Sequence, residues 1–146
     1  METVRFTKLD PAAIVPKYAT ADAAGADLYA RLPEALTIGA GETKMVHTGI
    51  AIAVPQGFAG LVYARSGLAS KRGLAPANKV GVIDADYRGE IKVGLVNHSD
   101  TPYTVTHGER IAQMVVTPIF RAVFTEANEL DDTARGSGGF GSTGTK

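Results

Sequence analysis

Hydrophobic and polar residues alternate along most of this chain with a period of two rather than 3.6. In the stretch ETKMVHTGIAIAVP, the side chains of Ile50, Ile52 and Val54 fall on one face, and the run stops at a proline. The stretches FAGLVYA, GEIKVGLVN and ERIAQMVVTPIF alternate in the same way, and the last sets Ala112 on the face opposite to Ile111. Each run therefore predicts a half-buried β-strand.

Turn-forming residues separate these runs, because clusters of Gly, Pro, Asn and Asp recur between them at short intervals. Short strands between frequent turns are typical of an all-β sandwich or barrel. One short helix is predicted at SGLASKRG, where Ser66 could cap the first turn and Gly73 could end the helix.

The length of the chain and the composition of its C-terminal part predict how it is organised. A chain of 146 residues is expected to fold as one domain with a substantial core. We assign residues 1–124 to the β-domain, and residues 125–146 to a polar linker followed by a flexible, glycine-rich arm.

The arm, RGSGGFGSTGTK, has two interpretations on its residues alone. Gly139 and Gly144 have the spacing of a Walker-type loop, but Thr145 stands where that loop requires lysine. Glycine N–H groups, hydroxyls and the Arg135 guanidinium are nevertheless the components of an anion clamp. A disordered tail and a phosphate clamp therefore both stay open.

Charge narrows the possible partners. The formal net charge is zero, so we expect neither a nucleic-acid nor a membrane partner. The chain has no cysteine and begins with the charged stretch METVRFTKLD, so we expect no disulfide and a cytoplasmic location. No acidic residue occurs between Glu42 and Asp84, a segment that holds five cations. This asymmetry indicates either an anion-binding surface or chance in two buried strands.

Five segments carry a family resemblance, and they follow one another in order over nearly the whole chain. They are AGADLYA at 24–30, PQGFAGLVYARSGLASK at 55–71, GVIDADYRGEIKV at 81–93, GERIAQMV at 108–115 and RGSGGFGSTG at 135–144. In this combination and order, the chain resembles the trimeric dUTPase family, the dUTP diphosphatases.

The resemblance implies a β jelly-roll protomer in a homotrimer, with active sites between subunits and a C-terminal arm that closes over the substrate. It also implies Mg²⁺-dependent hydrolysis of dUTP to dUMP and pyrophosphate, which limits uracil in DNA and supplies a thymidylate precursor. The triphosphate is expected to hold the metal directly, with Asp27 at most in its water shell or bracing the site. The alternatives are a dCTP deaminase of similar fold and a non-catalytic, nucleotide-binding regulatory trimer.

The resemblance also implies roles for individual residues. Asp84 matches the catalytic aspartate that orients and deprotonates the attacking water, and Tyr87 matches the ring that packs on deoxyribose and excludes a 2′-hydroxyl. Because a carboxylate is a weak base at neutral pH, much of the effect of Asp84 must come from positioning. The predicted substrate-binding residues are Arg65, Ser66, Gly67, Asn78, Gly81, Val82, Ile83, Asp84, Tyr87, Lys92, Gln113, Arg135, Ser137, Gly138, Phe140, Gly141, Ser142 and Thr143.

Within that set, the Asn78 amide is expected to read the uracil edge together with backbone groups at 81–84 and near Lys92. Arg65, Ser66, Gly67 and Gln113 are expected to reach the phosphates. The arm would then place Phe140 over the base, with Arg135 and the arm's hydroxyls on the triphosphate.

Three further assignments come from the residues themselves. Asp86 is interpreted as structural, pairing with Arg88. Arg65 has the alternative of an intersubunit ion pair. The three histidines lack metal-ligand spacing and are interpreted as structural or solvated.

Overall fold

A computed structural model describes residues 2–140 and 142, and its regular elements there are eleven strands and one helix. In chain order they are β1 (Arg5–Lys8), β2 (Lys17–Tyr18), β3 (Ala26–Tyr29), β4 (Leu36–Ile38), β5 (Thr43–Ala53), β6 (Phe58–Tyr63), α1 (Ser66–Arg72), β7 (Leu74–Pro76), β8 (Gly81–Ile83), β9 (Glu90–Asn97), β10 (Tyr103–Val105) and β11 (Arg110–Pro118). The predicted all-β class with one short helix is confirmed.

The strands form three antiparallel sheets. The first has the order β1-β5-β9-β7, the second β2-β3-β11-β6-β8, and a two-stranded sheet pairs β10 with β4. Side chains of the two larger sheets share one hydrophobic core, which includes Leu28 and Ile111 from the second sheet and Val46 and Leu95 from the first. The sheets therefore form a sandwich and do not close into a barrel.

The alternation predicted for β5 is confirmed at its apolar positions but interrupted by a bulge. Ile50, Ile52 and Val54 are buried, with at most 3% of each residue exposed. The register with β9 shifts between His47 and Ala51, so that residues 48–52 are all buried. A bulge of this kind lets a strand present successive residues to the core.

A second bulge corrects the prediction for β11. Its pairing with β3 shifts between Arg110 and Ala112. Ile111 and Ala112 are consequently both buried, at 1% and 0% exposure, and do not lie on opposite faces as the simple alternation predicts.

The helix has the predicted position, but its first turn differs from the prediction. Ser66 is the first helical residue and not the cap: the N-cap is Arg65, in an extended conformation, without a side-chain capping bond. Gly73 ends the helix as predicted, because it adopts the left-handed conformation at φ 70° and its N–H donates to carbonyls of the last turn.

After β11, residues 119–140 and 142, here called the C-terminal segment, contain no helix or strand, and nearly all are exposed. The division into a domain at 1–124 and an arm at 125–146 stays a prediction. Within the described residues, no helix has the length and apolar composition needed to cross a membrane.

Candidate active site

Seven of the predicted site residues line one cavity of about 210 Å³, here called the hairpin pocket. Its walls come from the end of β6, the loop after β7, the β8–β9 hairpin and β9. The predicted residues in it are Asn78, Gly81, Val82, Ile83, Asp84, Tyr87 and Lys92. The third motif, at 81–93, and Asn78 are close in the sequence, and the fold also places them around one cavity.

Sheet topology explains why this hairpin can hold a ligand. β8 pairs with β6 in the second sheet, while β9 pairs with β5 and β7 in the first. The two strands do not pair with each other; β8, β9 and the turn that joins them, here called the hairpin, therefore connect the two layers. β8 is the edge strand of its sheet. An edge strand presents backbone N–H and C=O groups on its open side, which suits recognition of a planar base by the main chain.

The turn after β8 carries Asp84 and is held by its own hydrogen bonds. The Tyr87 N–H donates to the Asp84 carbonyl over 3.1 Å. The Arg88 guanidinium donates to the carbonyls of Ala85 and Tyr87, both over 2.7 Å. The prediction of an Asp86–Arg88 ion pair is therefore wrong for the described residues. Arg88 instead stabilises the turn through backbone oxygens, because these lie within its reach in the tight turn.

Glu90, which the sequence did not single out, organises the base of the hairpin. Its carbonyl accepts the Tyr87 hydroxyl over 2.9 Å. Its carboxylate accepts the Gly49 N–H over 2.8 Å and lies 2.8 Å from the His47 ring, so it ties β9 to the bulge in β5. Burial raises the pKa of Glu90, but the Gly49 N–H, His47 and Lys92 together hold it below its ordinary value.

Four residues predicted to bind the phosphates line a separate cavity of about 580 Å³ beside the helix, here called the helix pocket. Arg65, Ser66, Gly67 and Gln113 all line it, together with residues of the first motif. The helix pocket and the hairpin pocket have no lining residue in common. One chain therefore presents the two groups of predicted residues at different places.

Asp27 braces the helix pocket. It is 7% exposed, and its two oxygens meet Arg65 Nε at 2.7 Å and Arg110 Nη1 at 3.2 Å. Arg65 therefore has an ion pair within its own chain. With both carboxylate oxygens engaged, Asp27 is suited to orienting the two guanidinium groups and not to direct metal binding.

Gln113 is held at the floor of the helix pocket. Its side-chain N–H donates to the Ala64 carbonyl over 2.8 Å. Its Oε1 would lie only 2.7 Å from a Cβ placed on Gly25, so the glycine of the first motif makes room for this amide. The alternation of β11 alone would have placed Gln113 in solvent.

Tyr103 and Glu109 form another wall of the helix pocket that the sequence did not indicate. The Tyr103 hydroxyl donates to the Glu109 carboxylate. Burial, followed by this contact, raises the pKa of Tyr103 to about 12, so the phenol stays protonated at neutral pH.

The C-terminal segment lies apart from both cavities. Arg135, Ser137, Gly138, Phe140 and Ser142 line neither pocket. Arg135 Nε donates to the Gly138 carbonyl over 2.8 Å, and the Phe140 ring is fully exposed. The predicted contacts of Gly141 and Thr143 lie outside the described residues.

The described residues contain no group of three or more His, Cys, Asp or Glu side chains that could hold a metal ion. His47 contacts Glu90, and His107 Nδ1 accepts the Leu32 N–H over 3.4 Å. Because both oxygens of Asp27 meet arginines, the helix pocket fits a metal held by substrate phosphates and water better than one held by this carboxylate.

Comparisons with known proteins identify the family of this chain. The family model for dUTPase matches residues 12–144. The deoxyuridine 5'-triphosphate nucleotidohydrolase of Desulfitobacterium hafniense is 53% identical over 142 residues, which cover 97% of this chain and 94% of the relative.

Solved structures give the same result. A point mutant of the Staphylococcus bacteriophage 80alpha dUTPase, solved with dUpNHpp, is 26% identical with a TM-score of 0.90, covering 99% of this chain and 100% of that one. A point mutant of the dUTPase from phage phi11 of S. aureus, described with a structural Mg(II) ion, is 25% identical with a TM-score of 0.78, covering 88% and 98%. The resemblance seen in the five motifs is confirmed, and this chain belongs to the dUTPase family.

Proposed function

We propose that this protein is an enzyme that hydrolyses dUTP to dUMP and pyrophosphate. The observation that carries the proposal is the hairpin pocket, where Asn78, the open edge of β8, Asp84 and Tyr87 line one cavity. The name of the relative at 53% identity and the dUpNHpp bound to the 80alpha enzyme support the same substrate.

The direct test is to incubate the protein with dUTP, dCTP, dTTP and UTP and to identify the products. We expect dUMP and pyrophosphate from dUTP, and much slower reaction of the other three nucleotides. Release of ammonia from dCTP as the main reaction would assign the chain to the deaminase alternative instead.

The hairpin pocket is proposed to select the nucleoside. The Asn78 amide offers both a donor and an acceptor to the imide edge of uracil, and the backbone of β8 completes the contact. The pocket walls formed by β8 and β9 are proposed to exclude a 5-methyl group on the base. The Tyr87 ring packs on the sugar at C2′, where a ribose hydroxyl would collide with it.

Asp84 is proposed to act as the general base. It follows the edge strand directly and lines the same pocket as the nucleoside-binding groups. Its turn is fixed by Arg88, which keeps the carboxylate in a constant position relative to the pocket. Asp84 would orient the attacking water and accept its proton, while the pyrophosphate leaves.

The helix pocket is proposed to bind the phosphates. Arg65 and Gln113 present charge and amide donors, Ser66 a hydroxyl and Gly67 an open approach to the backbone. Mg²⁺, held by phosphate oxygens and water, would neutralise charge that develops on the leaving group. Asp27 serves this pocket by bracing Arg65 and not as a metal ligand.

A homotrimer with shared active sites is proposed from the separation of the two pockets. Nucleoside-binding and phosphate-binding residues line different cavities of one chain, so a second copy can bring them together. Besides Phe140, four apolar side chains of the C-terminal segment are at least 90% exposed in the single chain and could pack on a neighbour: Phe120, Val123, Phe124 and Leu130.

Subunit sharing can be tested by complementation. Asp84→Asn and Arg65→Ala chains should each be impaired alone. If an active site takes Asp84 from one subunit and Arg65 from another, mixed trimers contain some intact sites and regain dUTP hydrolysis. An active monomer in sedimentation, or mixtures that regain nothing, would contradict the proposal.

The C-terminal arm is proposed to close over bound substrate. Phe140 would stack on the uracil, and Arg135 would meet the outer phosphate. Ser137, Gly138, Gly141, Ser142 and Thr143 would contact the triphosphate. The cost of ordering a glycine-rich segment would be offset by charge-assisted hydrogen bonds to phosphate oxygens.

A further inference from the structure

The Tyr87 ring lies directly against Gly89. A Cβ placed on Gly89 would lie 2.6 Å from Tyr87 Cζ and 3.0 Å from Cε2. Carbon atoms cannot approach this closely, and Tyr87 is 45% exposed, so a side chain at position 89 would displace the ring from its present place. Tyr87 lines the hairpin pocket and Gly89 does not, so the displacement would alter the shape of the pocket.

The requirement for glycine at this position is one of space and not of backbone conformation. Within the described residues, the glycines with positive φ do not include Gly89. Gly57 shows the opposite case, with φ 83° and no atom within 4 Å of an added Cβ. The fold itself would therefore accept alanine at position 89 if the Tyr87 ring were not there.

Glu90 restrains the same, hydroxyl-bearing end of the ring. Its carbonyl accepts the Tyr87 hydroxyl over 2.9 Å. Its carboxylate is fixed in turn by the Gly49 N–H at 2.8 Å, inside the bulge of β5. The ring is therefore held by a close backbone contact at Gly89 and by a hydrogen bond whose acceptor is anchored to the first sheet.

We propose that Gly89 and Glu90 are positioning residues that seat the Tyr87 ring and thereby set the preference of the hairpin pocket for deoxyribose over ribose. The inference rests on the proposed function, because it takes dUTP as the substrate. It concerns the contact with the sugar and not the chemistry at Asp84, since neither residue needs to contact the reacting phosphate.

The first experiment measures kcat and KM for dUTP and UTP in Gly89→Ala. We expect the KM for dUTP to rise roughly tenfold with a much smaller change in kcat, because binding to the sugar is lost in ground and transition states alike. UTP does not benefit from the correctly placed Tyr87 ring, so its low kcat/KM should fall less than that of dUTP. The ratio of the two kcat/KM values, which measures the preference for dUTP, should therefore narrow several-fold.

Gly39→Ala is the matched control. Gly39 has no positive φ, and the atom nearest an added Cβ would be a carboxylate oxygen of Glu42 at 3.4 Å, which is close to ordinary van der Waals contact. This variant should keep the wild-type KM and the wild-type preference. An equal change in both variants would show a general effect of replacing glycine and would overturn the proposal.

A double-mutant cycle separates the seat from a general structural effect. In a Tyr87→Ala background there is no ring to displace, so Gly89→Ala should have almost no additional effect on the KM for dUTP. Full additivity of the two substitutions would overturn the proposal.

Tyr87→Phe tests the Glu90 contact and does not depend on how Gly89→Ala folds. It keeps the ring and removes only the hydroxyl that donates to the Glu90 carbonyl, so we expect a few-fold narrowing of the preference for dUTP. Wild-type preference in this variant would exclude the Glu90 part of the seat. A wild-type protein without dUTP hydrolysis would instead refute the proposed function itself.

Discussion

The hairpin pocket and the C-terminal segment carry two groups of predicted substrate contacts, but the fold holds them in opposite ways. The hairpin pocket is walled by paired strands, and its Ile83, Ile91 and Val93 are less than 9% exposed. In the C-terminal segment, Phe124 and Phe140 are almost wholly exposed, and the bonds of Arg135 are to its own loop.

This difference separates recognition from closure. Groups in the hairpin pocket are already ordered, so substrate binding costs them little conformational entropy. On the proposed closure, groups in the C-terminal segment become ordered only when substrate binds, at a cost of about 1–2 kcal/mol for each residue fixed. We therefore expect the pocket to decide which nucleotide binds and the segment to decide whether the bound nucleotide reacts.

Removing residues 135–146 should have the largest effect. The loss of two charge-assisted hydrogen bonds to phosphate, at about 1.5–3 kcal/mol each, corresponds to a fall in kcat/KM of roughly 10²- to 10⁴-fold. The melting temperature and the oligomeric state should stay unchanged, because the described part of this stretch adds only Phe140 as a large apolar side chain and that ring is exposed. Full turnover after truncation would show that the arm is a tail without a role in the reaction. Loss of the trimer would show that the arm supports assembly.

Asp84→Asn should reduce kcat by about two orders of magnitude while nucleotide binding stays largely intact. The amide keeps the shape of the side chain but cannot accept a proton from water, and losing a positioned general base usually costs about 10²- to 10⁴-fold. Single-turnover kinetics together with a binding titration would separate the two effects. Near-normal turnover would mean that Asp84 is not the base.

Phe140→Ala should be milder than the truncation and should mainly weaken nucleotide binding. Stacking of an aromatic ring on a base contributes about 1–3 kcal/mol. We expect a raised KM for dUTP with a smaller change in kcat, while the melting temperature stays near that of the wild type. An effect equal to that of the whole truncation would assign closure to the ring alone.

Glu90→Gln should give the smallest effect, on the acid stability of the hairpin pocket. The folded protein holds the pKa of Glu90 below its ordinary value of 4.5, so this carboxylate stabilises the fold above that value and loses its contribution as pH falls through the folded pKa. Urea unfolding of both proteins at neutral and acidic pH measures this. The variant should be less stable near neutrality, and the difference in free energy of unfolding between the two proteins should become smaller in acid. A difference that does not change with pH would contradict the proposed effect of the Glu90 pKa.

Several structural features could be predicted because they follow from local sequence. Period-two alternation predicted the burial of Ile50 and Ile52 in β5 and the alternating burial along β9, and Gly73 predicted the end of the helix. The motif at 81–93 predicted residues that line one cavity, because β8, β9 and the turn between them are close in the sequence.

Contacts that depend on register and on long-range packing were missed. Asp27 meets Arg110 across 83 residues, and the bulge in β11 lies beside this pair. Glu90 reaches Gly49 only because β5 bulges opposite β9. No periodicity marks the position of a bulge, since one extra residue changes the face of each residue after it.

The sequence by itself determined the all-β class, the family and the set of residues proposed to carry the chemistry, because alternation, turn residues and motif order are local properties of the chain. Only the tertiary structure decided that Asp27 braces two arginines, that the space above Gly89 belongs to the Tyr87 ring, and that the two groups of site residues line separate pockets. These depend on which strands pair and in what register, and that is settled when the two sheets pack over a common core.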